Sequence, residues 1–192
     1  MNKRREQKEV RREQILNAGL DLFIRNGYHG TTTKEIADTF GISQGLMFHY
    51  FSSKEEVYLE LLNRAKASMS TIHISEAELE QPLVHLNTMV TMILDSFSMY
   101  PLSAKLFMLV AQTQIASNLP NTIQQMAKDI AASKEFESLV KAGQTKGEIR
   151  EGDPRALAGC FYSAIQGVAQ TYICFPDIPL PQSEWLVAIL KK

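Results

Sequence analysis

Cysteine is scarce in this chain: Cys160 and Cys174 are the only two among 192 residues. Two thiols do not make a disulfide framework, and a reducing cytoplasm is the simple setting for them. Surplus charge of one sign is missing too. The formal net charge is −1, so no global basic field announces a nucleic-acid partner. The charged N-terminus lacks the apolar core of a signal peptide. No segment alternates with period two for long enough to read as a strand. The four histidines, at 29, 49, 73 and 85, show no His-Glu-x-x-His spacing, and no Cys-x-x-Cys pair joins them. Gly-x-Ser-x-Gly elbows, Walker loops and dinucleotide fingerprints are absent as well. The expectation is a protein with no catalytic residues, no metal and no cofactor.

What is present is apolar material in helical order. With 45% hydrophobic residues the chain can bury a sizeable core, and its length suits one ordinary domain plus a small one. Ile15, Ala18, Gly19, Leu22 and Phe23 make a stripe for a first helix that ends at Asn26-Gly27. Ser53 to Glu56 reads as a capping box opening a helix with Tyr58, Leu62, Ala65, Met69 and Ile72 along one side. Residues 74–81 read as a break, and Pro82 starts the next helix. Pro101, Pro120 and Asp153-Pro154 punctuate further helices, and Pro176, Pro179 and Pro181 stiffen a connector to a last helix from Ser183. The fold class is therefore all-α. A small N-terminal domain spans 1–64, and a larger helical domain spans 65–192.

The most informative stretch runs from Thr31 to Phe51, TTTKEIADTFGISQGLMFHYF. Thr32 and Glu35 stand at capping-box spacing and start a helix in which Ile36 and Phe40 share a face. Ala37 is small enough to let a second helix cross close by. Gly41 supplies the turn, since glycine accepts positive φ without steric cost. Ser43 restarts a helix over about 43–50, and Ile42, Met47 and Tyr50 close a small core against Ile36 and Phe40. Gln44, Gly45, Leu46, Phe48 and His49 remain outward. Two short crossed helices with a readable outer face make a helix-turn-helix. Excess positive charge precedes it: Lys3, Arg4, Arg5, Lys8, Arg11 and Arg12 face only Glu6 and Glu9.

Gly27-Tyr28, Thr32-Thr33, Glu35-Ile36-Ala37, Gly41-Ile42-Ser43, Gly45, Phe48-His49-Tyr50-Phe51 and Lys54-Glu55 together resemble the DNA-binding domain of the tetracycline-repressor (TetR) family. The match is close from Gly27 to Lys54 and looser back to Arg11; beyond about Arg64 it is architectural. The resemblance implies that Thr33, Gln44, Gly45, His49, Tyr50 and Lys54 contact DNA, with Thr32, Ser43, Leu46 and Phe48 beside them. A recognition helix offers its N-terminal side chains to the major groove. There Gln44 suits adenine and Leu46 a thymine methyl. Thr33, Tyr50 and Lys54 are placed for phosphates, although Tyr50 can equally pack beneath the helix pair. Lys54 opposes the macrodipole in the first turn of its helix, which a bound phosphate would offset. Relatives often carry lysine at position 44 and tyrosine at 48; Gln44 and Phe48 depart from that pattern.

The remainder is expected to hold an effector pocket and a dimer interface. Met89, Met92, Asp95, Phe97 and Met99, with Phe107, Met108, Phe161 and Tyr162, are candidates for a methionine-rich pocket around a small apolar effector. A dry, filled core is the competing reading, and Asp95 can cap a neighbouring helix instead of meeting a cation. Residues 156–175 carry no charge and are long enough to span a bilayer. Their Ser163, Gln166, Gln170, Thr171 and Tyr172 favour burial within a protein assembly instead, with no membrane partner. The resemblance implies a four-helix interface between two copies, with Gly159, Ser163, Gly167 and Tyr172 on one helix and Trp185, Leu186 and Ile189 on the last. Cys160 and Cys174 read as buried free thiols. The function that follows is a cytoplasmic homodimeric regulator, a repressor that binds a palindromic double-stranded DNA operator and is released by effector. A helical ligand-binding or scaffold protein without specific DNA binding is the alternative.

Overall fold

The computed structural model describes residues 3–69, 79–130 and 133–192. Ten helices account for the described elements: α1 Lys3–Asn26, α2 Thr33–Thr39, α3 Gln44–Phe48, α4 Lys54–Met69, α5 Pro82–Met99, α6 Pro101–Ile115, α7 Asn121–Asp129, α8 Ser133–Thr145, α9 Pro154–Cys174 and α10 Ser183–Val187. Among the described residues the extended pairing is one isolated bridge, Ile149 with Lys191. The all-α expectation holds. Pro82 and Pro154 occupy first-turn positions, where their missing N–H groups cost nothing. Asp153 caps α9 by accepting from the N–H groups of Arg155 and Ala156, both at 2.9 Å. Ile72 and residues 74–78 of the expected break lie outside the described residues.

The chain divides into two compact units, 1–66 with 108–130, and 67–107 with 131–192. In the first, Ile15, Leu16, Leu20 and Phe23 of α1 are buried with Ile36, Ala37 and Met47 of α2 and α3 and with Val57, Leu61 and Leu62 of α4. Arg64 grips the Glu13 carboxylate with two N–H groups, one at 2.6 Å, and Arg12 donates to Glu60 at 3.0 Å. Segment 108–130 joins through polar contacts: the hydroxyls of Tyr58 and Thr113 bond at 2.8 Å in a buried setting, and Gln112 donates to the Ile24 carbonyl at 3.1 Å. The second Ser-x-x-Glu box is only half formed. Ser53 accepts from the Glu56 N–H at 3.1 Å, but the Glu56 carboxylate takes the backbone N–H and hydroxyl of Ser52 instead.

In the second unit α8 packs on α5 and α9, and α10 packs on α5 and α9. Leu86, Val90 and Phe97 of α5, Phe136, Leu139 and Val140 of α8, and Ala158, Phe161, Ile165 and Ala169 of α9 are buried. Both cysteines are exposed free thiols, which corrects their expected burial. They belong to a stripe of α9, with Ala156, Ser163, Gly167 and Gln170, that faces away from the rest of its own chain. No single helix among the described residues is long and apolar enough to cross a membrane.

Candidate nucleic-acid interface

The helix-turn-helix is built from local hydrogen bonds. Thr32 accepts from the Glu35 N–H at 3.1 Å while the Glu35 carboxylate accepts from the Thr32 N–H at 2.8 Å, so the capping box closes in both directions. The Thr32 hydroxyl also donates to that carboxylate at 2.8 Å, and this bond first, then the Thr32 N–H, holds the Glu35 carboxyl below the usual carboxylate range. Gly41 turns the chain at φ +71°, a conformation costly for any residue with a Cβ. Ser43 then caps α3 by accepting from the Leu46 N–H at 3.1 Å. Thr32 and Ser43 thus spend a side-chain oxygen on starting helices.

With Met47 fully buried beneath α3, the outer face carries Gln44, Gly45, Leu46, Phe48 and His49, all exposed. Phe48 is 47% exposed and Leu46 is 38% exposed. Such apolar exposure is unhelpful in water and suits a surface that meets a partner. A Cβ at Gly45 would meet nothing within 4 Å, so its own chain does not demand glycine there. Gln44 donates its amide N–H to the Thr33 hydroxyl at 2.8 Å, tying the start of α3 to the start of α2. Tyr50 is half-buried, between the two sequence readings of it.

Lys54 lies differently from its neighbours. Its ammonium donates to the carbonyls of Tyr28 and Thr31, both at 2.7 Å, and sits 4.4 Å from the centre of the Tyr28 ring. Burial pushes its pKa below the ordinary lysine value, with the Glu35 charge acting against that shift.

Sequence reasoning missed part of the surroundings. Glu6, Gln7, Lys8, Val10, Arg11 and Gln14 of α1 form one wall of an open groove whose other wall is Phe40, Leu46, His49 and Tyr50. The Arg11 guanidinium sits 5.6 Å from the Phe40 ring centre. The only signal for this wall was the local excess of lysine and arginine in the first twelve residues. Arg5 is exposed on helix α1.

Of the nine effector-pocket candidates, Met89, Phe97, Phe107 and Phe161 are buried and Tyr162 is partly so, whereas Met92, Asp95 and Met99 are exposed. Met108 falls in the first compact unit. An aromatic cluster links Phe97, Phe107, Tyr162 and Tyr172 with Phe136 and Phe161, its ring centres 5.5–6.4 Å apart. Phe136 was missed because it stands alone in a charged stretch. Burial raises the Tyr162 phenol, and a hydrogen bond with Gln166 opposes that rise. Gly159, Ser163, Gly167 and Trp185 of the interface candidates are exposed, Tyr172 and Ile189 are intermediate, and Leu186 is buried in its own chain. Among the described residues no group of three His, Cys, Asp or Glu side chains could hold a metal ion.

Residues 15–61 match the family model of bacterial regulatory proteins, tetR family. Over 161 residues the chain is 26% identical to the HTH-type transcriptional regulator RutR of Escherichia coli K12, covering 83% of this chain and 74% of that one. Its fold is similar to that of the MbdR regulator of Azoarcus sp. CIB, with a TM-score of 0.74 and 25% identity over 94% of this chain and 96% of the other. It is also similar in fold to SmeT in a triclosan complex, with a TM-score of 0.58 and 20% identity over 94% of this chain and 91% of the other. An N-terminal helix-turn-helix and relatives that match along most of the length lead to one conclusion: residues 15–61 are a domain of the tetR family of bacterial regulatory proteins, and the chain as a whole is similar to transcriptional regulators that carry it.

Proposed function

We propose that two copies of this chain bind a palindromic operator in the cytoplasm, each placing α3 in a major groove, and that a small apolar effector releases them and relieves repression. The observation that carries the reading is the outer face of α3, where Gln44, Leu46, Phe48 and His49 are exposed over a buried Met47. Gln44 keeps its amide oxygen and a second N–H for adenine N6 and N7, because only one N–H is spent on Thr33. Leu46 meets a thymine methyl, and Gly45 lets the backbone approach the bases. Thr33 and Tyr50 donate hydroxyls to phosphates, with His49 at the groove edge.

Support for the dimer comes from α9, whose exposed stripe recurs at alternating four- and three-residue steps from Ala156 through Cys160, Ser163, Gly167 and Gln170 to Cys174. That 3.5-residue repeat without charge is what a helix needs to seat along a partner helix. Exposed Trp185 of α10 extends the same interface. The effector reading rests on the aromatic cluster around Phe97, Phe107 and Tyr162, where the Tyr162–Gln166 pair offers the polar contact an otherwise apolar ligand needs. SmeT's triclosan, an apolar aromatic, has the chemistry such a cluster accepts. Coupling of about 1–3 kcal/mol between effector and DNA is enough for a working switch.

Gel-shift titration of the full chain against a random duplex pool tests this. The expected result is selection of a two-fold symmetric site, with affinity falling steeply as salt rises. Selection of no preferred sequence would end the proposal.

A further inference from the structure

Arg11 and Arg12 are two equal charges in the sequence, and the fold separates them. Arg11 is exposed along the wall of the open groove. Arg12 turns to its own module instead. Its Nη1 donates to the Glu60 carboxylate of α4 at 3.0 Å, and its guanidinium carbon sits 4.9 Å from the centre of the Phe51 ring. A flat guanidinium suits both contacts at once, with an edge for the carboxylate and a face for the ring. Arg64, four residues further along α4, donates to the same Glu60 oxygen at 3.4 Å.

Phe51 makes this pair more than a surface bridge. It is only 1% exposed, and its N–H donates to the Met47 carbonyl at 3.0 Å. The Tyr50 N–H goes to the same carbonyl at 2.9 Å, and the His49 N–H to that of Leu46 at 3.1 Å. With five residues α3 is too short to be stable by itself, so side chains anchored outside it set where it lies. Met47 beneath it and Phe51 just past its end are such anchors, both buried. The chain beyond Phe51 is fixed as well, because the N–H and hydroxyl of Ser52 both go to Glu56 of α4. Arg12 therefore ties α1, the end of α3 and α4 together at a single ring.

Resting on the DNA-binding reading above, we infer that Arg12 is a positioning residue of the interface: anchored by Glu60, it covers the Phe51 ring and fixes the C-terminal end of α3, so that His49 and Tyr50 meet the duplex in register with Gln44. The sign of one substitution isolates this role. Removing a negative charge from a DNA-binding protein favours association with a polyanion on charge alone. Loss of the Glu60 anchor under Arg12 acts in the opposite direction.

The experiment titrates the full chain with the tightest duplex recovered from the random pool, at a temperature where each variant is folded by circular dichroism. Glu60→Gln, nearly isosteric, should weaken binding by roughly three- to tenfold despite the charge it removes, as suits a charge-assisted bond between partly exposed groups. Arg12→Gln should weaken it by a similar factor. The double variant should be no worse than the weaker single one, since both changes break one contact. Arg12→Lys keeps the charge and a donor for Glu60 but has no flat face, so it should fall between wild type and Arg12→Gln. Amide exchange at Tyr50 and Phe51 should quicken in Glu60→Gln against that at Ile36, which a uniform loss of stability would not produce. Glu60→Gln carries the test alone where Arg12→Gln does not fold. Binding by Glu60→Gln as tight as wild type, or tighter, overturns the inference. So do losses in the two single variants that multiply in the double one. A wild-type protein without salt-sensitive, sequence-selective binding would instead remove the DNA-binding reading on which this one stands.

Discussion

At the scale of single residues, Gln44 and Thr33 act as a pair. Thr33 accepts the Gln44 amide at 2.8 Å, so its own hydroxyl proton is free to point at a phosphate oxygen. On the proposed DNA-binding reading, one threonine then links backbone positioning to base reading. Gln44→Ala should flatten the preference at one base pair of each half-site, by about 1–3 kcal/mol, and leave the others as they were. Selection of bound duplexes with the variant reads this directly; uniform weakening at every position would show that Gln44 does not read sequence. Thr33→Val removes both the acceptor and the donor, so it should lower overall affinity and blur the same base pair. Thr33→Ser should keep both.

At the scale of elements, stability rests on caps and on ion pairs between helices. Thr32→Ala opens the capping box of α2 and should cost about 1 kcal/mol, seen as a lowered Tm. Between α1 and α4, hydrogen bonding from Arg64 holds the Glu13 carboxyl below its usual range, and bonding from Arg12 does the same for Glu60. A carboxyl whose folded pKa is depressed stabilises the fold above its unfolded pKa, and that contribution disappears as pH falls through the folded value. Tm should therefore drop between about pH 5 and pH 3, and Arg64→Ala should show a shallower drop over that range. At neutral pH the same variant should cost only about 0.5–1 kcal/mol, because all three side chains are partly exposed. An acid limb identical to wild type would show that the Arg64 pairs contribute nothing.

For the whole molecule, the proposed dimer places the α9 stripe between two copies of the chain. A Cβ at Gly167 would meet nothing within 4 Å, so a larger side chain there disturbs nothing in its own chain. Gly167→Leu should even stabilise the protomer, since glycine inside a helix is worse than alanine by about 0.5–1 kcal/mol. The same side chain would force apart two helices meeting at that point. Sedimentation should show the variant as monomer, with its operator affinity lost in step. A variant that stays dimeric and binds as before would place the interface elsewhere.

Legibility in the sequence followed the distance between partners along the chain. The Thr32–Glu35 box, the Gly41 turn, the Ser43 cap and the proline helix starts are decided within four residues, by backbone hydrogen bonding and steric rules that act before any packing. Hence the all-α class, the helix-turn-helix and the outer face of α3 were readable from residue order alone. Tertiary structure decided the rest. Lys54 finds its carbonyls 23 and 26 positions upstream, Arg12 finds Glu60 48 positions away, and Thr113 meets Tyr58 across 55. None of those partners leaves a mark on local pattern, because which polar groups meet depends on how helices cross. The cysteines show the same limit: helical spacing put Cys160 and Cys174 on one helix, but only packing against α8 and α10 determined which face of it was left outside.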